Sequence, residues 1–130
     1  MRKWEWATIA AWIDTEGSIQ AGISGRKGDQ RHLRISIGQR DPAPLRWIQS
    51  RVGGSIHRTK RGSFRLSISS RQAEAVLRGS LPYFLSKRAQ AELGIELADR
   101  GPRGSLSKAR QLEIAKELSR LKHQSYEDML

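Results

Sequence analysis

"ATIAAWIDTEGSIQAGI", Ala7 to Ile23, decides how this chain is read. It opens as small and apolar residues and then sets two acids, Asp14 and Glu16, against Gly17. Trp4 to Thr15 has helical spacing, with Trp4, Ile9, Trp12 and Ile13 available for a core face. Ala7, Ala10 and Ala11 form a stripe of small residues. Gly17 is expected to end the helix, as a glycine just past a last turn commonly does. Beyond it "SIQAGIS" alternates, sending Ile19, Ala21 and Ile23 to one side and Ser18, Gln20, Gly22 and Ser24 to the other, the pattern of a half-buried strand. A helix C-terminus carries roughly half a negative charge, so exposed acids there cost about 0.3 to 1 kcal/mol. Two readings stay open at this point. The acids cap a surface turn and pair with neighbouring arginines, or a divalent cation reverses the penalty by taking their oxygens as hard ligands.

The pattern continues downstream. "HLRISIGQ" alternates with Leu33, Ile35 and Ile37 inward, completing a hairpin across the basic turn "GRKGDQR". Asp41 followed by Pro42 reads as an N-cap with proline at the first helical position, and Leu45, Ile48 and Val52 then recur at helical spacing until "GG". "SIHRTK", an "RG" turn and "SFRLSIS" form a second hairpin with Phe64, Leu66 and Ile68 inward. Ser69 or Ser70 is expected to cap a helix to about Arg78, with Pro82 starting the next turn. Arg88 to Arg100 is helical up to "GPRG", and a last helix spans about 107–122. The order predicts one domain over 1–130, of α+β class, an antiparallel four-stranded sheet covered by helices on one face.

Composition narrows the partner. The chain has 24 Lys and Arg against 13 Asp and Glu, a net charge of +11, which points to a polyanion. No apolar run approaches the roughly 20 residues that cross a bilayer, and "MRKWEW" leads into acids rather than an apolar signal core, so an intracellular protein is expected, in cytoplasm, nucleoid or an organelle. Without cysteine there is no disulfide, thiolate metal site or Cys nucleophile. The charge is placed unevenly. Period two sends Gln20, Ser24, Arg34, Ser36, Arg65 and Ser67 outward, and the hairpin tips add Arg26, Lys27, Arg31, Lys60 and Arg61. For the third strand either His57 with Thr59 or Arg58 with Lys60 faces out. Such a face, poor in aromatics, suits duplex DNA better than stacked single-stranded bases, since Arg and Gln read base edges bidentately in the major groove.

"IAAWIDTEGSI", Ile9 to Ile19, resembles the signature of LAGLIDADG homing endonucleases. The two hairpins with a helix between them, "ISIGQRD" and "LPYFLSKRAQA" extend the resemblance over about Trp4 to Leu97. Glu16 stands where the name-giving motif has aspartate, and Ala11 and Trp12 where it often has glycine and a smaller apolar residue. The resemblance implies a motif helix over 4–16 that packs against a second copy through Ala7, Ala10, Ala11 and Asp14. The chain carries one convincing motif, since "LGIELADRG" is followed by no strand, so a homodimer on a long, near-palindromic duplex is implied. It further implies that Glu16 and the Thr15 carbonyl hold Mg²⁺, with Mn²⁺ or Ca²⁺ able to occupy the site. Lys87 would stabilise charge or help activate water, and Gln39 would position solvent, with Asp41 as its alternative; His32 and His57 are weaker candidates for a base. The implied activity is a metal-dependent double-strand cut by an enzyme encoded in an intron or intein, with no membrane and no small-molecule substrate. The alternative is a non-cleaving DNA- or RNA-binding protein of the same fold, such as a maturase or a transcription regulator.

Overall fold

The computed structural model describes residues 1–24, 30–100 and 106–128. Along these run α1 (Lys3–Glu16), β1 (Gly17–Ser24), β2 (Gln30–Gln39), α2 (Pro42–Val52), β3 (Ser55–Arg58), β4 (Phe64–Ser69), α3 (Ser70–Ser80), a 3-10 turn (Leu81–Tyr83), α4 (Arg88–Arg100) and α5 (Lys108–Asp128). The strands form one antiparallel sheet in the order β1-β2-β4-β3, so the α+β expectation holds. Arg26 and Lys27 lie outside the described residues. No helix of the described residues is long and apolar enough to cross a membrane.

Alternation in the strands builds the core. Ile19, Leu33, Ile35, Ile37, Leu66 and Ile68 are buried on the helix side, where they meet Ile9 and Ile13 of α1, Leu45 and Ile48 of α2, and Val76 and Leu77 of α3. Leu97, Ile114 and Leu118 from α4 and α5 close the same cluster. α2 begins as its sequence says: Asp41 accepts the Ala43 N–H at 2.9 Å ahead of proline in the first turn. The second hairpin closes with Thr59 N–H on the Ser63 carbonyl at 2.8 Å and Gly62 at φ 83°. α3 starts differently from a side-chain cap, since Ser69 makes no cap bond and Ser70 takes φ 53°. α5 continues beyond the expected 122 to Asp128, and the Ser107 hydroxyl accepts the Arg110 N–H at its start.

Two expectations for α1 are corrected. Trp4, expected in the core, is 55% exposed and stacks on Trp47, with ring centroids 5.9 Å apart. Ala10, expected in the interface stripe, has 0% exposure and belongs to the core. The reason is helical phase: at about 100° per residue, positions 5, 9, 10 and 13 turn to one side while 4, 7, 8, 11 and 15 turn to the other. Glu5 falls on the buried side and is satisfied there, accepting the Arg2 N–H at 3.1 Å and pairing with the Arg51 Nε at 2.8 Å.

Gly17 is also needed for a different reason from the expected one. At φ −110° it is extended and opens β1, so left-handed geometry is not involved. Room is the constraint. An added Cβ would lie 2.8 Å from the Ile13 Cα and 3.3 Å from the Ser36 carbonyl oxygen, where α1 turns directly into the sheet. At Gly38 the nearest atom would be 3.9 Å away. Gly17→Ala should therefore cost about 1 to 3 kcal/mol of stability by overpacking. Gly38→Ala should stay within about 0.5 kcal/mol, as measured by urea unfolding.

Candidate nucleic-acid interface and acidic centre

The two acids of the opening stretch do different work. Asp14 turns toward the segment that leads into α4. Its carboxylate accepts the backbone N–H of Leu85 at 2.8 Å, of Lys87 at 3.0 Å and of Ser86 at 3.3 Å, and the Ser86 hydroxyl at 3.1 Å. The Lys87 carbonyl accepts the Ala91 N–H, so these donors lie at the amino end of α4, where a helix favours negative charge. An acid at the wrong end of α1 is thus at the right end of α4. The clamp is reciprocal: Lys87 Nζ donates to the Asp14 carbonyl oxygen at 2.6 Å. Burial pushes the Lys87 pKa below the ordinary lysine value, Asp14 opposes this and Lys122 adds to it.

Glu16 is exposed, and among the described residues no hydrogen bond or ion pair engages its carboxylate. An open groove runs along the outer side of α1, lined by Trp4, Ala7, Thr8, Ala11, Trp12 and Thr15, and ends at Glu16 and Gln39. Gln39 closes β2 with its Oε1 on the Arg40 N–H at 2.7 Å, which leaves its amide hydrogens free to face the groove. The Thr15 hydroxyl donates back to the Ala11 carbonyl at 2.8 Å. Its own carbonyl is one of the last in α1, without a helical donor. No three His, Asp or Glu converge to hold a metal among the described residues. One free carboxylate with neutral oxygens beside it fits a hard cation as a partial ligand set, to be completed by other oxygens.

On the opposite side of the sheet the polar residues meet in rows. Arg34 donates to the Gln20 Oε1 through Nη2 at 2.8 Å and Nε at 3.3 Å, and Gln20 Nε2 donates to Ser18 Oγ at 2.7 Å. The pairing of His57 with Arg65 and of Ser55 with Ser67 settles the register of β3: His57 faces outward beside Arg65, and both are exposed. Ser36 and Ser67 sit side by side on this face, although Ser36 is only 8% exposed. Lys60 and Arg61 are exposed in the β3–β4 turn, whereas the Thr59 hydroxyl is bonded to Ser63 within it. Ser24 lies opposite Gln30 at the far end of β1. Arg31 departs from the outward set. It pairs with Ile23 in the inward register, and its N–H is held by the buried Gln111 at 3.0 Å. His32, for which the sequence favours a DNA contact or a surface position over a base, belongs to the outward set by the same alternation that placed Arg34. It lies across Gly22, where an added Cβ would sit 2.7 Å from the ring. Burial, and then the Arg34 charge, lower its pKa.

This fold is that of solved LAGLIDADG homing endonucleases. The homing endonuclease I-CvuI, crystallised with the I-CreI target, matches with a TM-score of 0.78 at 23% identity, over 92% of this chain and 82% of that one. An archaeal intron-encoded homing endonuclease complexed with DNA, I-Vdi141I, matches at 0.64 and 15% identity over 89% and 97%. The LAGLIDADG meganuclease I-CpaMI, bound to uncleaved DNA, matches at 0.62 and 25% identity over 72% of this chain and 35% of its own. No protein-family model matches the sequence, and neither does any curated protein.

Asp14→Ala should destabilise the protein by about 1.5 to 3 kcal/mol, the range for hydrogen bonds to a charged group, with Asp14→Asn recovering part of the loss in thermal unfolding. His32 supplies a pH signature. Its folded pKa lies below its unfolded one, so within that window the unfolded chain binds more protons, and stability falls as pH drops through it. NMR titration should place His32 below the ordinary histidine value. Arg34→Ala should raise it partway only, because burial is the larger cause.

Proposed function

We propose that this chain acts as a homodimer that binds a long, near-palindromic DNA duplex and cuts both strands with a divalent metal ion. The observation that carries this reading is that Glu16 and Gln39 line one groove at the end of α1, while Lys87 Nζ is held on the Asp14 carbonyl two residues before Glu16. A single chain offers one free carboxylate there. A second copy related by a twofold axis would supply another, and the groove along α1 has the form to receive it, since Ala7 and Ala11 let a facing helix backbone approach closely. The target symmetry follows from the protein symmetry.

Glu16 and the Thr15 carbonyl of each copy would hold Mg²⁺, with Mn²⁺ or Ca²⁺ able to take its place. I-CvuI complexes obtained with Mg and with Ca support a divalent ion in this fold. When bound, such an ion acts as a Lewis acid that orients and activates water and stabilises the leaving oxygen of a phosphodiester. Lys87, held on the Asp14 carbonyl, would stabilise the charge that develops on the phosphate. Its lowered pKa brings proton exchange with solvent closer to neutral pH. The free amide hydrogens of Gln39 would orient solvent at the mouth of the groove. Gln20, Arg34, Arg65 and His57 would read base edges, while Lys60 and Arg61 would hold phosphates. The net charge of +11 supplies the long-range attraction that both tasks need.

Glu16→Gln keeps the side chain's size and removes the charge, so duplex cleavage in Mg²⁺ should be lost while duplex affinity changes less than about tenfold. Normal cutting by the variant would overturn the metal assignment. A wild-type protein that binds duplex but never cuts would identify the non-cleaving binder instead.

A further inference from the structure

The strand register divides the outward face into rows that differ in reach. Nearest the acidic centre stand Gly38, Arg65 and His57. The next row is Ser18, Ser36, Ser67 and Ser55, serine on every one of the four strands. After it come Gln20, Arg34 and Ser69. Successive outward rows are two residues apart, about 6.7 Å along a strand. Base pairs rise by about 3.4 Å, so one row spans about two of them.

From this arrangement we propose that each half-site is read in two separated blocks, with a tolerant block of about two base pairs between them over the serine row. The inference rests on the duplex-reading role proposed above. Reach decides it. A serine hydroxyl ends one atom past Cβ, whereas a guanidinium stands several bonds farther out, so a duplex seated on Arg65 and Arg34 stays a water layer away from the hydroxyls between them. Two of the four hydroxyls are already constrained: Ser36 is 8% exposed, and one acceptor site of Ser18 Oγ is taken by Gln20. A hydroxyl can donate or accept, and a water bridged to it adapts to either base edge. Arg34 is in the opposite situation. Gln20 Oε1 holds two of its N–H groups, so the guanidinium is fixed before DNA arrives, with further N–H groups left for the acceptor pair of a guanine. On the inner side, Arg65 and His57 stand directly opposite each other and present two donors to one block.

The test is binding selection from a duplex library randomised through the half-site, in EDTA so that affinity is read apart from cleavage. It is run with the wild type, Arg65→Ala, Arg34→Ala and Ser67→Arg. Each arginine variant should flatten a preference of more than about tenfold at its own block, the usual size of one bidentate base contact. The centres of the two flattened blocks should lie about four base pairs apart, two rows at two pairs each. Between them the wild type should discriminate by less than about threefold, well below one direct contact. Ser67→Arg should create a new preference in that middle block. Strongest wild-type discrimination in the middle, or both arginine variants flattening the same positions, would overturn the inference while leaving the duplex-reading role intact. So would a folded Ser67→Arg protein, checked by circular dichroism, whose profile equals the wild type's. Recovery of no duplex at all would overturn that role and the inference with it.

Discussion

One carboxylate holds the candidate site together. Asp14 lies at the end of α1, yet its oxygens satisfy three backbone N–H groups at the entrance to α4, and the Lys87 ammonium returns the contact to the Asp14 carbonyl. The pair ties two helix ends that are more than seventy residues apart in sequence. It also fixes which acid is free. With Asp14 engaged by residues 85–87, Glu16 in the last turn of α1 stays exposed at the head of the groove. The negative charge that looked misplaced in the sequence is therefore one structural acid and one exposed carboxylate that no described residue engages.

The rest of the molecule keeps that helix end in place. Ile9, Ala10 and Ile13 bury one side of α1 in the core, and Glu5 adds a satisfied ion pair with Arg51 on the same side. Gly17 lets the chain enter β1 without a gap, so the strand that carries Gln20 is set directly by the helix that carries Glu16. The alternation that buries Ile35 and Ile37 is the one that presents Arg34 and Ser36. A slip of one residue in β2 would empty the core and erase the polar face together. Stability and recognition are thus two sides of a single register.

Much of this was legible in the sequence because it is written in short periods. Alternation in β1, β2 and β4 gave the sheet, the core residues and most of the outward set, and Asp41 with Pro42 gave the start of α2. What escaped was decided by contacts between distant segments or by phase. Nothing local says that Asp14 meets residues 85–87, or that Gly17 is a matter of room rather than backbone angle. Small residues alone could not say which alanines of α1 face out; Ala10 was lost to the core while Trp4 and Thr8 line the groove. The β3 register became clear only through its partner Arg65, and Arg31 looked like a hairpin-tip cation until its pairing with Ile23 was visible.

The sharing of metal between two copies is tested by a crystal structure of the protein with a palindromic duplex and Mn²⁺, the ion located by its anomalous scattering. Two copies should meet along α1, with manganese bound directly by the Glu16 carboxylates of both. Glutamates far apart, with manganese elsewhere or at neither, would contradict it.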